Sequence, residues 1–162
     1  MRKIPANAVT TIRRTKNERG DAVIQFVLGP SGSGKTTRMI EQANEEYKSH
    51  NGHLVFVDND DSQMFQLDHA VRLINMKQYH IHSMERLYGL LAGMLARDFD
   101  IERVFIDGLT AETLQEGNFE KNIKELLVLS SENSADFIIG LNLDADKVPK
   151  LEGVEVVELA VD

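Results

Sequence analysis

Eight consecutive residues, Gly29 to Thr36 (GPSGSGKT), have the types and spacing needed to hold a polyphosphate. Glycines at 29, 32 and 34 let a backbone turn tightly and bring its N–H groups against phosphate oxygens. Pro30, Ser31 and Ser33 complete the loop. Lys35 supplies a point charge for the β- and γ-phosphates, the hydroxyl of Thr36 is a ligand for Mg²⁺, and Thr37 is the last of the residues expected to bind the nucleotide. The pattern of Gly, four residues, then Gly-Lys-Thr is the P-loop. It needs a buried strand before it and a helix after it, so that the helix N-terminus adds unpaired donors and a positive dipole end. Residues 22–28 (AVIQFVL) read as that strand, and Met39, Ile40, Ala43 and Tyr47 fall on one side of a helix that Asn51-Gly52 would stop.

Carboxylates at strand ends are the next candidates. Asp107 closes the apolar run RVFID (103–107), where it would hold magnesium from the carboxyl edge of a neighbouring strand. The cluster VDNDD ends the strand after the P-loop helix, and Asp60 or Asp58 in it could orient the attacking water for hydrolysis. A turn or helix cap would account for the same aspartates structurally. His80 and His82 lie two apart with no third ligand beside them, so ordinary surface histidines are the simpler reading than a metal site.

The elements that must position these residues alternate along the chain. Strands are expected at 22–28, 53–58, 79–82, 103–107 and 136–141. Residues 154–159, where Glu155 and Glu158 interrupt the apolar positions, read as a last, edge strand. Helices are expected from Gly34, through Met64, Leu67, Val71 and Ile74, from a cap at Ser83 through Leu95, and through Phe119, Ile123, Leu126 and Leu127. This order implies an α/β three-layer sandwich with a largely parallel central sheet. The division is a basic segment, 1–21, and a nucleotide-binding domain, 22–162. Val9–Ile12 could pair beside the first strand.

Charge and composition exclude other classes. The 162 residues carry a net charge of −8, but residues 1–20 hold +5 and the remainder −13. Such an acidic body does not attract nucleic acid or anionic lipid, whereas the basic segment could serve as an arm for nucleic acid. A solvated segment or edge strand is the simpler reading of it. The chain has no cysteine, which removes disulfides and thiolate metal sites and is compatible with a cytoplasmic setting. Neither a membrane span nor an apolar leader after Arg2 and Lys3 is evident. Five arginines follow the P-loop, at 38, 72, 86, 97 and 103, dispersed rather than clustered as a kinase lid would need. Exposed salt bridges are a simpler role for Arg86 and Arg103 than fingers acting in trans on a neighbouring copy.

From residue 22 to 142 the order of motifs resembles the ATPase core of the RecA/KaiC family: P-loop, a strand ending VDND, helix, strand, helix, then RVFIDGLTAE. The resemblance implies a RecA-like P-loop fold that uses ATP and Mg²⁺. It implies Asp107 as the Walker B carboxylate and Asn142, in GLNLD, as a polar sensor. It also implies Asp60 at the position of the family's catalytic glutamate, one methylene shorter. The stretch 110–118 is short and acidic, unlike a DNA-binding loop. The function expected is therefore an ATPase. A nucleotide-dependent binding module with little hydrolysis, or a small-molecule (nucleoside-type) kinase, are the alternatives. ATP, a homo-oligomeric or protein partner and, more weakly, nucleic acid are the partners expected.

Overall fold

The computed structural model describes residues 3–5, 24–49, 52–116 and 118–160. Among these residues seven strands run β1 (Lys3–Pro5), β2 (Ile24–Leu28), β3 (His53–Asp58), β4 (Arg72–Asn75), β5 (Ile101–Ile106), β6 (Asp136–Leu141) and β7 (Val154–Ala160). The helices are α1 (Lys35–Ser49), α2 (Met84–Arg97), α3 (Ala111–Gln115) and α4 (Phe119–Asn133), with a short 3₁₀ turn at Ala145–Lys147. The sheet order is β1-β7-β2-β6-β5-β3-β4, and every neighbouring pair is parallel.

Burial on both faces explains the unbroken apolar strands. Phe26, Leu28, Val104, Ile106 and Ile139 turn toward one face, where α2, α3 and α4 bring Leu87, Leu91, Leu114, Ile123 and Leu126. Val27, Phe56, Phe105 and Ile138 turn toward the other, under Met39, Ile40 and Ala43 of α1. Phe56 and Phe105 stack across β3 and β5 with ring centroids 5.8 Å apart. The chain steps one way along the sheet from β2 to β3 and back from β4 to β5 to β6. Right-handed crossovers then require α1 on one face and α2 and α4 on the other, giving three layers. No helix among the described residues is long and apolar enough to cross a membrane.

The cap expected at Ser83 forms, and the structure adds another at Asn118, each closing a first helical turn. Ser83 Oγ accepts from Arg86 N at 3.2 Å, and Asn118 Oδ1 accepts from Lys121 N at 2.9 Å. Three expectations are corrected. The helix through Met64 to Ile74 is a series of turns followed by β4. Asp60 and Asp68 accept from the backbone two residues on, at Ser62 and Ala70, and Asn44 of α1 holds Gln66 O and Asp68 N, so the backbone is satisfied without helical bonds. Leu67 and Val71 still bury, against the α1 side. The strand expected at 79–82 is a turn, with His80 at φ 56°, and the pairing strand lies earlier, at Arg72–Asn75. Finally, β7 is an interior strand between β1 and β2 rather than an edge. Its Glu155 is buried, and accepts a 3.0 Å hydrogen bond from Gln25 Nε2, so the polar alternation marks an internal hydrogen bond instead of a solvent face. The pairing suggested for Val9–Ile12 lies outside the described residues.

Arg103 is tied down between layers, 3.1 Å from Glu46 of α1 and 3.6 Å from Asp136 of β6, so it is committed inside its own chain. Arg86 donates to His80 O at 3.0 Å.

At the amino edge of the sheet, His53 Nδ1 lies 2.6 Å from Asp98 Oδ2, joining β3 to the C-terminus of α2. This hydrogen bond and the Asp98 charge raise the His53 pKa above its ordinary value, and the same contact lowers that of Asp98. A raised histidine pKa stabilises the fold below the unfolded value and ceases to do so as pH climbs through the folded one. His53→Gln should therefore lower the melting temperature most near pH 5.5 to 6, with the deficit shrinking above neutrality. A deficit independent of pH in thermal melts would contradict the charged pair.

Candidate functional site

The carboxyl ends of β2, β5, β3 and β6 meet at the loop formed by Gly29–Gly34. Gly32 and Gly34 adopt φ of 82° and 89°, a conformation that side chains with a Cβ rarely adopt. Gly29 is needed for a different reason, since a Cβ there would stand 2.6 Å from Ser33 Oγ. Ser33 is buried beneath the loop and its hydroxyl has no hydrogen-bond partner. The loop leads into α1, whose first helical bond runs from Arg38 N to Gly34 O at 3.0 Å. The N–H groups of Lys35, Thr36 and Thr37 precede that bond and have no acceptor in the helix, which leaves a cluster of donors and the positive end of the dipole facing the loop. Pro30 and Ser31 are exposed along its outer side.

Lys35 curls back on the loop. Its ammonium donates to Gly29 O at 2.6 Å and Pro30 O at 3.1 Å. Partial burial lowers its pKa, and the nearby Asp107 carboxylate opposes that shift. From the next position, Thr36 Oγ1 donates to Asp107 Oδ2 at 2.6 Å, joining the start of α1 to the end of β5. Asp107 has room because Gly140 on β6 carries no side chain. A Cβ there would lie 3.1 Å from Asp107 Oδ1 and 2.8 Å from Met39 Sδ.

A second carboxylate stands beside Asp107. Asp58, at the end of β3, is buried, and its Oδ1 accepts from Asn59 N at 2.7 Å. Asp107 N donates to Val57 O at 2.8 Å, which fixes the two strand ends side by side. Gly108, at φ 75°, then turns the chain away, and a Cβ on it would fall 3.0 Å from Asp58 Oδ1. Burial, reinforced by the charges of Asp107 and Asp60, raises the Asp58 pKa to about 6. Ionising Asp58 therefore costs folding free energy, and the cost appears as pH rises from the ordinary carboxylate range through about 6.

Of the residues singled out in sequence, Lys35, Thr36, Asp107 and Asp58 come together. Asp60 stands near enough for its charge to act on Asp58, but it is bonded within its own turn. Its carboxylate accepts from Ser62 N at 3.0 Å, and hydrogen bonding from the Ser62 side chain and then its backbone lowers its pKa. Asn142 directly follows Leu141, whose carbonyl accepts from Gly29 N at 3.3 Å. Because β6 lies between β2 and β5, Asn142 leaves the sheet between the loop and Asp107. His80 and His82 are exposed in a turn with ring centroids 6.3 Å apart. Among the described residues, the one set of potential metal donors within 4.8 Å of one another is His53, Asp98 and Asp100, at the opposite end of the sheet. Gly140 was missed in the sequence, although a glycine inside an apolar strand is itself a signal of close approach.

A scan against models of known protein families gives no match, and neither does a search of curated proteins.

Asp58→Asn keeps the acceptor for Asn59 N while removing the buried charge. The substituted protein should melt a few degrees higher than the original near pH 7.5 and no higher near pH 4. Equal melting temperatures at both pH values would show that the Asp58 charge is well solvated. Gly140→Ala should disturb Met39 and Asp107 together and lower stability by about 1–3 kcal/mol, measured by denaturant unfolding.

Proposed function

We propose that the chain is a RecA-like P-loop ATPase that binds ATP with Mg²⁺ at the Gly29–Thr36 loop. The observation that carries this reading is the 2.6 Å contact between Thr36 Oγ1 and Asp107 Oδ2 at the mouth of the glycine loop. A hydroxyl and a carboxylate converging at a helix N-terminus form an all-oxygen donor set. That set suits a small hard cation which takes its remaining ligands from water and phosphate oxygens. Bound there, magnesium would neutralise charge developing on the β- and γ-phosphates.

The residues of the chain then have distinct tasks. The N–H groups from Gly32 to Thr37 receive phosphate oxygens. Lys35 exchanges the carbonyls of Gly29 and Pro30 for the β- and γ-phosphates, which are better acceptors because they are charged. Asp107 and Thr36 would hold the metal, as carboxylate and hydroxyl ligands. Asp58 is the group supported for positioning the attacking water. It is buried beside Asp107, whereas Asp60 is engaged with Ser62. With a pKa of about 6, Asp58 is ionised at neutral pH yet basic enough to accept a proton. Asn142, at the end of β6, is suited to contact the γ-phosphate.

A second reading is favoured by the position of Asp60. With that residue engaged elsewhere, one short carboxylate remains for the water, and turnover would be slow. The protein would then act as a nucleotide-dependent switch for a partner.

Phosphate release and ATP binding, measured side by side with Mg²⁺, distinguish these readings. Lys35→Ala should reduce kcat/KM by on the order of 10²-fold or more. Asp58→Asn should lower kcat on the order of 10²-fold while leaving ATP affinity within a few-fold. Undiminished turnover in Lys35→Ala would overturn the site assignment. Tight ATP binding without turnover in the wild type would select the switch.

A further inference from the structure

A second concavity lies on the opposite face of the sheet from α1. Helices α2 and α4 both start near the carboxyl edge of the sheet and diverge around a cleft of about 550 Å³. That volume is in the range of small-molecule sites. Its floor is Met84 and Leu126, both buried, with the half-buried Tyr88 as an aromatic wall. Around the rim stand three carboxylates: Glu85 from the first turn of α2, Glu116 from the end of α3, and Glu125 from α4. Among the described residues, none of the three side chains has a hydrogen-bond or ion-pair partner. Lys121 supplies the one positive side chain of the lining, and it makes no ion pair with Glu125 one turn away.

The sign of the cleft decides what it can hold. Two helix N-termini contribute about half a positive charge each, which would favour an anion. Three carboxylates against one ammonium outweigh that contribution, so the sum remains negative. Phosphate or sulfate is therefore disfavoured. An aromatic wall, an apolar floor and a ring of unpaired carboxylates together suit a positively charged organic group with an aliphatic body. We propose that the α2–α4 cleft is a binding site for a small aliphatic amine or guanidine, separate from the phosphate loop.

The cleft is also tied to the end of β5. Asn122 of α4 donates to Leu114 O at 2.8 Å and to Glu116 O at 3.0 Å, fixing the segment that runs from Asp107 through α3 to the rim. A ligand held by Glu116 therefore bears on the same segment that leaves Asp107.

Spermidine is the probe for this site, titrated into the full chain at 0.15 M salt, where diffuse attraction to the acidic surface is largely screened. Binding is read by calorimetry and by the Met84 methyl resonance. The expected result is saturable one-site binding that shifts Met84. The double variant Glu85→Gln/Glu125→Gln weakens it about tenfold or more. A control with the same charge change on exposed residues elsewhere, Glu132→Gln/Glu152→Gln, changes it by less than about twofold. Lys35→Ala retains the binding, which separates this site from the phosphate loop. Equal loss in both double variants, an unmoved Met84 resonance, or equal affinity for the uncharged 1,8-octanediol would each overturn the proposal. Circular dichroism of both variants reports that the fold is intact, as expected for exposed rim residues.

Discussion

The hydrogen bond between Thr36 and Asp107 is the contact on which the rest of the site depends. It joins the first turn of a helix on one face to the end of a strand two positions away in the sheet. For the two oxygens to meet at 2.6 Å, β6 must lie between β2 and β5, its register must place Gly140 beside Asp107, and α1 must emerge from a loop of left-handed glycines. Each requirement is a packing constraint on the core. Phe56 against Phe105 holds β3 to β5, and Met39 against Gly140 seats α1 over β6. The chemistry of the site and the packing of the sheet are fixed by the same few contacts.

The site also stores electrostatic cost. Asp58 and Asp107 end adjacent strands in a buried setting, and burial above all, reinforced by the Asp107 charge, opposes ionisation of Asp58. A sheet designed for stability alone would not set two carboxylates together at its buried edge. Under the proposed function, a cation held by Asp107 beside Asp58 would offset that cost. Lys35 shows the complementary economy. Its part-buried ammonium is satisfied by the loop's own carbonyls, Gly29 O and Pro30 O.

Much of this was legible in the sequence because its signals are local. The buried strands at 24–28, 53–58, 101–106 and 136–141 announce themselves as apolar runs, and the cap at Ser83 depends on a residue three positions away. The misreadings share a different cause. The helical spacing of Met64, Leu67, Val71 and Ile74 was real, but Asp68 and Asn44, 24 residues apart, satisfied that backbone in another way. Glu155 looked like an edge-strand residue because its partner, Gln25, is 130 residues distant. The same holds in the site. The glycine loop could be read from its own residues, whereas choosing between Asp58 and Asp60 required knowing which strand end lies beside Asp107. The cleft between α2 and α4 leaves no mark in sequence, since its lining comes from three separate elements.

The most direct measurement is the affinity of the wild-type chain for ATP by calorimetry, in excess Mg²⁺ and again in excess EDTA. If Thr36 and Asp107 form a metal-assisted phosphate site, removing the metal weakens binding by about tenfold or more, and ATP in turn makes magnesium bind more tightly. An affinity for ATP that is the same with and without magnesium would contradict the account, because the Thr36–Asp107 pair would then have no part in holding the nucleotide.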